Sequence, residues 1–334
     1  MTQTIGGRAL WFEGPRQSAF RDELAPPPGP GEIRVRAIHS LISQGSEMNV
    51  YRGEGKMLEM PLDTIKGTLP FPVKFGYQLI GRVESAGEGS GFEAGDLVFA
   101  THPHQDVFTM PAAFGVKLPA AADPLRAMFT NMCNVALRTS HEAPVRVGEC
   151  VVVTGLGVIG SLCAHLARKT AGRLIVVDPM AERREAAAWI GADAVIDPSE
   201  LGKVVAEYTE GRGADMFIET SGATPALQSA LDYSGDRGMV VVPAWHTSRN
   251  TPLALSPDFH LRALTVKSVF VASVGGDEAA RWPLERRLGQ ALDIVSKIDV
   301  NQLISERIPF ERATQAHSMI DSGAGRAPAI IIDY

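Results

Sequence analysis

Cysteine is scarce in this chain, which has 334 residues but only three cysteines, Cys133, Cys150 and Cys163. Their number is odd, and no two of them form a CxxC pair. A disulfide framework or a cysteine-rich zinc lobe needs paired or clustered cysteines, so the sequence disfavours both. This cysteine usage predicts a protein of the reducing cytoplasm.

Long apolar runs and an excess of positive charge are also absent. No stretch of 18 consecutive apolar residues occurs, and the N-terminus lacks a basic start followed by an apolar segment, so neither membrane spanning nor secretion is expected. The 32 Lys and Arg residues against 38 Asp and Glu give a net charge of −6 without a basic block. That balance offers no footprint for nucleic acid or an anionic membrane, and we expect a small-molecule partner.

Glycine and proline, by contrast, are plentiful, with 33 and 22 residues. In the first 120 residues they separate short alternating runs at 32–38, 79–84 and 96–100. Because glycine and proline interrupt strands, this part of the chain is predicted to be all-β and barrel-like. The length of the chain predicts two domains.

From about Val147 the hydrophobic period changes. The apolar run 150–153 leads through glycines into a segment whose apolar residues have helical spacing. Further apolar runs alternate with helical stretches, at 173–178, 194–197, 216–219 and 239–242. Strands buried on both faces and alternating with helices predict a parallel doubly wound sheet. A helix is predicted over 284–296, and a last strand at 329–332 is predicted to return to the first domain.

A GxGxxG fingerprint, with glycines Gly155, Gly157 and Gly160, lies between the strand and the helical segment that open this second region. The first glycine permits a tight turn, the second lets a pyrophosphate approach the backbone, and the third lets helix and strand pack closely. The helix N-terminus at Val158 and Ile159 offers N–H groups to the phosphates. We therefore expect a Rossmann dinucleotide site.

Asp178 lies 18 residues beyond Gly160, at the end of the next predicted strand. A carboxylate there accepts hydrogen bonds from both ribose hydroxyls and repels a 2′-phosphate, so NAD is expected in preference to NADP. Arg183 either braces the ribose or is a solvated helix residue, and the sequence leaves both interpretations open.

Taken together, these residues resemble the medium-chain dehydrogenase/reductase superfamily, the relatives of alcohol and polyol dehydrogenases, over nearly the whole chain. The resemblance is carried by Gly31-Glu32, Tyr51-Arg52-Gly53, Gly76 with Gly81-Arg82-Val83, Gly95-Asp96-Leu97-Val98, the fingerprint, Gly191-Ala192-Asp193 and Gly238. It implies an α/β protein with a GroES-like β-barrel catalytic domain, residues 1–132 completed by 271–334, and a Rossmann NAD-binding domain of residues 133–270. It also implies a homodimer or homotetramer.

The sequence departs from this family where its zinc-dependent members carry their metal ligands. The aligned positions hold Gln44, Tyr77 with Gln78, and Asn131, and no cysteines stand near 100–115, where the structural zinc ligands are expected. Neutral amides and a phenol replace thiolate and imidazole poorly, so no zinc is expected. Cys133, two residues from an aligned position, and the histidines of the run 102–106 are weaker metal candidates.

Without zinc, hydrogen-bonding side chains must handle the alcohol proton. The resemblance places Ser46 where relatives carry a proton-relay Ser or Thr, and puts the phenol of Tyr77 where a ligating histidine would point. His102 aligns with a pocket wall and titrates near neutral pH, which suits a general acid or base. Packing roles for Tyr77 and His102 remain open. The residues expected to orient the substrate, or to form a polar network, are Gln44, Glu47, Gln78 and Asn131.

The resemblance also implies further residues beside the cofactor. They follow predicted strands or precede the last one, and they are Thr220, Ser221, Gly222, Val242, Pro243, Ala244, Val269, Phe270 and Arg326. A simple turn residue is the alternative interpretation of Arg326.

Three functions are compatible with these features. The first is a zinc-independent, NAD-dependent dehydrogenase that interconverts an alcohol and a carbonyl on a polyol, a sugar derivative or a side-chain hydroxyl. The second is a reductase of quinones or enones that takes hydride from NADPH, which Asp178 disfavours. The third is a catalytically silent dinucleotide-binding protein, which loss of the zinc ligands would explain.

Overall fold

Two compact units make up the chain. The computed structural model describes residues 3–54, 66–67, 71–246, 250–273, 276–323 and 328–334. The first unit comprises 1–129, 304–325 and 329–334, and the second comprises 130–303 and 326–328. Among the helices of these residues, none is both long and apolar enough to cross a membrane.

Strands and helices are numbered here in chain order. The strands are β1 (Ile5–Gly14), β2 (Gln17–Ala25), β3 (Glu32–Leu41), β4 (Lys66–Gly67), β5 (Val73–Lys74), β6 (Leu79–Ala86), β7 (Leu97–Ala100), β8 (Val107–Pro111), β9 (Gly115–Lys117), β10 (Cys150–Thr154), β11 (Arg173–Val177), β12 (Ala194–Ile196), β13 (Ala214–Glu219), β14 (Ser234–Val242), β15 (Thr265–Ser268), β16 (Ile304–Pro309) and β17 (Ala329–Asp333). The α-helices are α1 (Ser46–Arg52), α2 (Pro124–Ala127), α3 (Thr130–Glu142), α4 (Val158–Ala167), α5 (Ala181–Ala186), α6 (Leu201–Thr209), α7 (Thr224–Asp232), α8 (Asp258–Leu261), α9 (Gly276–Arg281), α10 (Leu284–Ser296) and α11 (Ala313–Asp321).

The first unit contains two sheets. One has the strand order β2-β1-β5-β4, and the other has the order β16-β17-β3-β6-β7-β9, with β8 also paired to β3. Side chains of β3 such as Ile33 and Val35 are buried in its core. The final strand β17 pairs antiparallel with β3, Ile331 opposite Leu41, so the predicted return of the chain end is confirmed.

The second unit holds a parallel sheet of order β12-β11-β10-β13-β14-β15, which is the strand order of a Rossmann fold. Its central strand β10 has five buried residues, Cys150–Thr154, because helices cover both faces of such a sheet. Parallel strands end at the same edge, so the segments that follow β10, β11, β13, β14 and β15 lie along one side of the sheet. The predicted doubly wound architecture is confirmed.

The unit boundaries differ from the predicted ones. The first lies at 129/130 and not at 132/133, and the second lies at 303/304 and not at 270/271. The larger difference arises because α10 packs against α3 within the second unit. Its periodicity predicted a buried face, and its bounds agree with the prediction, but periodicity does not show which neighbour covers that face.

Candidate functional site

Fingerprint glycines occupy the turn between β10 and α4. Gly155 has φ +90°, a conformation that side chains rarely adopt. A Cβ on Gly160 would lie 1.8 Å from the carbonyl oxygen of Gly155, whereas a Cβ on Gly157 would meet nothing within 4 Å. The fold therefore requires glycine at 155 and 160. The space in front of Gly157 is open, which would let a ligand approach the backbone there.

The N-terminus of α4 faces this opening. Gly157 is its N-cap, and no side chain caps the helix there. The first-turn N–H groups of Val158 and Ile159 have no acceptor within the helix, because the first residues of any α-helix lack one. Together with the positive end of the helix dipole, they can bind a phosphate.

Asp178 follows β11 and is 2% exposed. Its Oδ2 accepts a hydrogen bond from the N–H of Leu156 at 2.7 Å, and its Oδ1 accepts one from the N–H of Met180 at 2.9 Å. A carboxylate oxygen has two lone pairs, so each oxygen retains accepting capacity for a ribose hydroxyl. Arg183 Nη1 lies 3.7 Å from Asp178 Oδ2, so this arginine forms an ion pair beside the predicted ribose position.

The segment after β13 is fixed by hydrogen bonds within the second unit. Thr220 Oγ1 donates to the carbonyl oxygens of Thr154 and Gly155, 2.9 Å in each case. The backbone N–H groups of Ser221 and Gly222 donate to the buried carboxylate of Glu219. These predicted cofactor residues thus support the fingerprint turn through their hydroxyls and backbone, and Glu219, which sequence reasoning missed, holds the segment in place.

The remaining predicted cofactor residues follow β14 and β15 at the same sheet edge. Val269 is buried and its N–H donates to the carbonyl of Val242 at 3.0 Å, whereas Phe270 is 63% exposed. Pro243 and Ala244 continue directly from β14. Arg326 lies outside the described residues.

In the first unit, Tyr77 and Ser46 lie together, as the prediction of a shared site requires. The Tyr77 hydroxyl donates to Ser43 Oγ at 2.7 Å and also forms a hydrogen bond with Ser46. Burial raises the pKa of the Tyr77 phenol, and the two serine hydrogen bonds offset part of that rise. The phenol is therefore a neutral O–H group held by two hydroxyls.

Glu47 was predicted to orient the substrate, and the structure does not support that role. Its side chain is buried, and it accepts hydrogen bonds from the Ser43 backbone N–H at 3.0 Å, from His104 Nε2 at 2.8 Å and from His317 Nε2 at 2.6 Å. Burial alone would raise the pKa of Glu47, but its interactions with His104 and His317 lower it to about 2. All three donors to the Glu47 carboxylate are protein groups, so its side chain supports the protein.

His102 does not occupy the position expected of a general acid or base. It is 4% exposed, its Nδ1 donates to the carbonyl of the adjacent Pro103 at 2.9 Å, and its ring stacks on Phe108 with centroids 3.6 Å apart. The packing interpretation of this histidine fits the structure, because its ring is buried and stacked on Phe108.

The three amides predicted at the former zinc position differ in their environments. Gln44 is half-buried after β3, and Asn131 is half-buried on α3 of the second unit. Gln78 is 1% exposed, and neither its Nε2 nor its Oε1 has a hydrogen-bond partner among the described residues. A network in which Gln44 and Gln78 satisfy each other is therefore not formed.

These residues do not fit a catalytic zinc at the family position. The phenol of Tyr77 is protonated and donates to a serine, and the neighbouring donors are neutral amides, whereas protein zinc sites use thiolates, imidazoles and carboxylates. Cys133, the weaker candidate, is buried, and burial raises the pKa of its thiol to about 12. Among the described residues, Cys133 belongs to no group of three or more possible metal ligands.

One group of possible metal ligands lies elsewhere in the described part of the first unit. Glu47, His104 and His317 are all buried, and their ligand atoms lie within 4.8 Å of one another. The sequence marks His104 only as part of the run 102–106, and it carries no signal for His317, which is 270 residues from Glu47.

Comparisons with known proteins find similarity to dehydrogenases. A family model described as zinc-binding dehydrogenase matches residues 157–286. D-guloside 3-dehydrogenase of Shigella flexneri is 32% identical over 219 residues, which cover 60% of this chain and 63% of that protein, less than two thirds of its length. The 2-dehydro-3-deoxy-L-galactonate 5-dehydrogenase of Pseudoalteromonas atlantica is 28% identical over 339 residues, 91% of this chain and 92% of that protein.

Solved structures share the fold across both units. A short chain alcohol dehydrogenase from Escherichia coli CFT073, complexed with NADH, has a TM-score of 0.79 at 19% identity and covers 98% of this chain and 99% of its own. A zinc-binding dehydrogenase from Sinorhizobium meliloti 1021, bound to NADP, has a TM-score of 0.78 at 21% identity, covering 99% and 100%.

The fold and the fingerprint turn define a dinucleotide-binding α/β protein whose Rossmann sheet is inserted into a β-rich unit. More specifically, the predicted resemblance to the medium-chain dehydrogenase/reductase superfamily is confirmed: residues 157–286 match the zinc-binding dehydrogenase family, and dehydrogenases are similar to this chain over most of its length.

Proposed function

We propose that the protein is an NAD-dependent dehydrogenase that interconverts an alcohol and a carbonyl on a small polar substrate, without a catalytic zinc. The observation that carries this proposal is the hydrogen-bonded group of Tyr77, Ser43 and Ser46, since the sequence resemblance places Tyr77 where a zinc-ligating histidine would point. This group would supply a protonated hydroxyl as the hydrogen-bond donor to a carbonyl oxygen in place of a Lewis acid.

The cofactor would be held by the second unit. The open backbone at Gly157 and the N-terminus of α4 fit a pyrophosphate, and the free accepting capacity of Asp178 fits two ribose hydroxyls. When bound, the nicotinamide supplies hydride acceptance or donation. Because the carboxylate of Asp178 would repel a 2′-phosphate, we infer that NAD is preferred to NADP.

Tyr77 would handle the proton. In the direction of reduction, a carbonyl carbon gains hydride and its oxygen gains the proton held at Tyr77 Oη. The phenolate then regains a proton from water through the Ser46 hydroxyl, which gives up one proton as it accepts another. Burial keeps the pKa of Tyr77 raised, so the proton is present at neutral pH and the hydroxyl acts as a donor. In oxidation the alcohol would pass its proton to Tyr77 Oη as the phenol releases its own proton through Ser46 to water, so the phenol stays protonated.

Sugar-like substrates are the class that we favour. Two of the relatives are named for a guloside and for a deoxy-galactonate derivative, both polyhydroxylated molecules. The buried amide of Gln78, which has no partner among the described residues, can donate to and accept from the hydroxyls of such a substrate. An unpaired buried amide is costly, so a polar partner is expected for it.

A second candidate, reduction of a quinone or enone with NADPH, is favoured by one observation, the binding of NADP to a structural neighbour. The two are separated by initial rates of the purified protein with NAD(H) and NADP(H) against polyols, sugars, simple ketones and quinones. The proposal expects turnover of a polyol or sugar derivative with NAD and a large loss of kcat in Tyr77→Phe. Turnover confined to quinones with NADPH would refute it, and tight NADH binding without any turnover would favour the silent protein.

A further inference from the structure

A buried polar cluster is hydrogen-bonded to the backbone of Ser43, the residue that accepts from the Tyr77 hydroxyl, and has no part in the proton transfer proposed above. Its members are Glu47, His104 and His317, and we call these three residues the buried triad. His104 comes from the segment before β8, and His317 comes from α11 near the end of the chain. Both histidines are 0% exposed, so the triad is enclosed by protein.

The hydrogen bonds of the triad have a definite direction. An ionised carboxylate only accepts, so Nε2 of His104 and Nε2 of His317 each carry a proton and donate it to Glu47 Oε1. Glu47 Oε2 accepts from the backbone N–H of Ser43. Ser43 in turn receives the hydrogen bond of the Tyr77 hydroxyl. One chain of hydrogen bonds therefore connects the two histidines to the reactive phenol, through Glu47 and Ser43.

We propose that the buried triad positions the Tyr77 hydroxyl, with Glu47 as the positioning residue that His104 and His317 orient. This inference rests on the proposed function, in which Tyr77 is the proton donor. The Glu47 carboxylate, which the two histidines hold in place, accepts a hydrogen bond from the Ser43 backbone N–H. This contact fixes the position of the Ser43 hydroxyl, which is the acceptor for the Tyr77 phenol.

The end of the chain takes part in this support. His104 Nδ1 lies 2.7 Å from Ser40 Oγ, which lies 2.9 Å from the hydroxyl of Tyr334, the last residue. On the other side of Glu47, the ring of His317 packs edge-on against Phe12, with centroids 4.9 Å apart. Residues of α11 and of the C-terminal end thus hold a loop that follows β3, which connects distant parts of the sequence to the reactive group.

The observed distances favour hydrogen bonds over a metal ion in the triad. Ligands that share a tetrahedral zinc at about 2.0 to 2.1 Å lie roughly 3.3 Å apart, whereas the nitrogen–oxygen distances here are 2.6 and 2.8 Å. These are lengths of charge-assisted N–H···O bonds. A metal would also displace both Nε2 protons, which the hydrogen bonds to Glu47 require.

A matched pair of substitutions at His317 tests the role of its hydrogen bond. Only Nε2 of His317 is used, since its Nδ1 is buried without a partner among the described residues. In His317→Gln the amide nitrogen replaces Nε2 and can still donate to Glu47, whereas in His317→Asn the amide nitrogen lies near the former Nδ1 and cannot reach it. We expect kcat of the Asn variant to fall roughly 10- to 100-fold, the cost of misplacing a reacting group by about 1 Å, and kcat of the Gln variant to stay within about 3-fold of the wild type.

NADH binding is the control, because the cofactor residues belong to the other unit and both variants should bind it as the wild type does. Equal losses of kcat in the two variants, or no loss in the Asn variant, would overturn the proposal. Should the Asn variant fail to fold, Tyr334→Phe removes only the hydroxyl next to Ser40 and is expected to lower kcat by about 3- to 10-fold through His104. An unchanged kcat in Tyr334→Phe would then count against the proposal.

Spectroscopy separates this proposal from the proposed function. In the wild-type protein, nitrogen-15 spectra should show two slowly exchanging imidazole N–H protons, and metal analysis should show no stoichiometric ion. The ring resonance of Tyr77, identified by its loss in Tyr77→Phe among the five tyrosines of the chain, should shift in His317→Asn and stay in place in His317→Gln. Absent N–H signals with one bound metal per chain, or an unshifted Tyr77 resonance, would refute the positioning role whether or not a substrate is known.

Discussion

Alanine at Gly160 should break the fingerprint turn. The added Cβ would lie 1.8 Å from the Gly155 carbonyl oxygen and 2.5 Å from Thr220 Oγ1. To approach the about 3.5 Å of an ordinary contact, the helix and the turn must separate by roughly 1.5 Å. Since the nearest atom is backbone and cannot rotate away, we expect a cost at the upper end of overpacking substitutions, about 3 kcal/mol. For a unit of this size that lowers Tm by about 6 to 12 °C.

Gly157→Ala is the matched control. Its Cβ would meet nothing within 4 Å, and the residue has φ −67°, which alanine adopts freely. Loss of a glycine N-cap costs less than about 1 kcal/mol, so Tm should hardly change. The methyl group would nevertheless occupy the space in front of the helix N-terminus, and we expect the Kd for NADH to rise at least about 10-fold.

Thermal unfolding and NADH fluorescence titration measure the two effects separately. The account expects Gly160→Ala to lose both stability and affinity, and Gly157→Ala to lose affinity alone. A Gly160→Ala protein as stable as the wild type would refute the packing argument. Unchanged NADH binding by Gly157→Ala would refute the assignment of that space to the cofactor.

Further predictions concern specificity, pH and thiols. Asp178→Ser should weaken NADH binding by about 10- to 100-fold, because charged hydrogen bonds are lost, and should reduce the preference over NADPH; unchanged selectivity in fluorescence titrations would contradict this. Burial lowers the pKa of four histidines, which are His39, His141, His165 and His317. Below pH 6.5 the unfolded chain therefore binds more protons than the folded protein, and the free energy of unfolding should fall as the pH drops. Denaturant titrations at several pH values would show this fall. Glu47, with its pKa lowered to about 2, adds stability that is complete above its unfolded pKa near 4.5 and is lost as the pH falls toward 2. Burial raises the pKa of all three cysteines to about 11 or 12, so a thiol reagent should find no fast-reacting group before denaturation; one rapid equivalent would contradict their burial.

The hydrophobic periodicity and the glycine and proline turn residues predicted much of the fold. The helix at 284–296 agrees in both bounds. The helical stretch expected between the runs 173–178 and 194–197 is α5 continued by a 3-10 turn, which ends at Gly191 in a left-handed conformation. Strand β14 begins at Ser234, five residues before the predicted run, because its first residues are polar or glycine and carry no apolar signal. The fingerprint was predictable because strand, glycines, helix and acid follow one another within 30 residues.

The support of the site was not predictable in the same way. The triad joins residues that are 57 and 270 positions apart, and no local pattern marks such a contact. Position and chemistry predict that Glu47 orients the substrate and that His102 acts as a general acid or base. Both side chains are nevertheless buried against protein partners. Alignment places a residue near a site, but only packing decides whether its side chain faces the ligand or the core.

The claim that Tyr77 replaces a catalytic zinc is tested by the rate of NAD reduction with a polyol or sugar derivative as substrate. This rate is measured for the wild-type enzyme freed of metal by a chelator and for Tyr77→Phe. We expect the metal-free enzyme, with less than one zinc bound per chain, to keep its full kcat. We expect Tyr77→Phe to lose about 100- to 10,000-fold in kcat while binding NADH normally. A rate that disappears on chelation, returns with added zinc and is indifferent to Tyr77→Phe would contradict it.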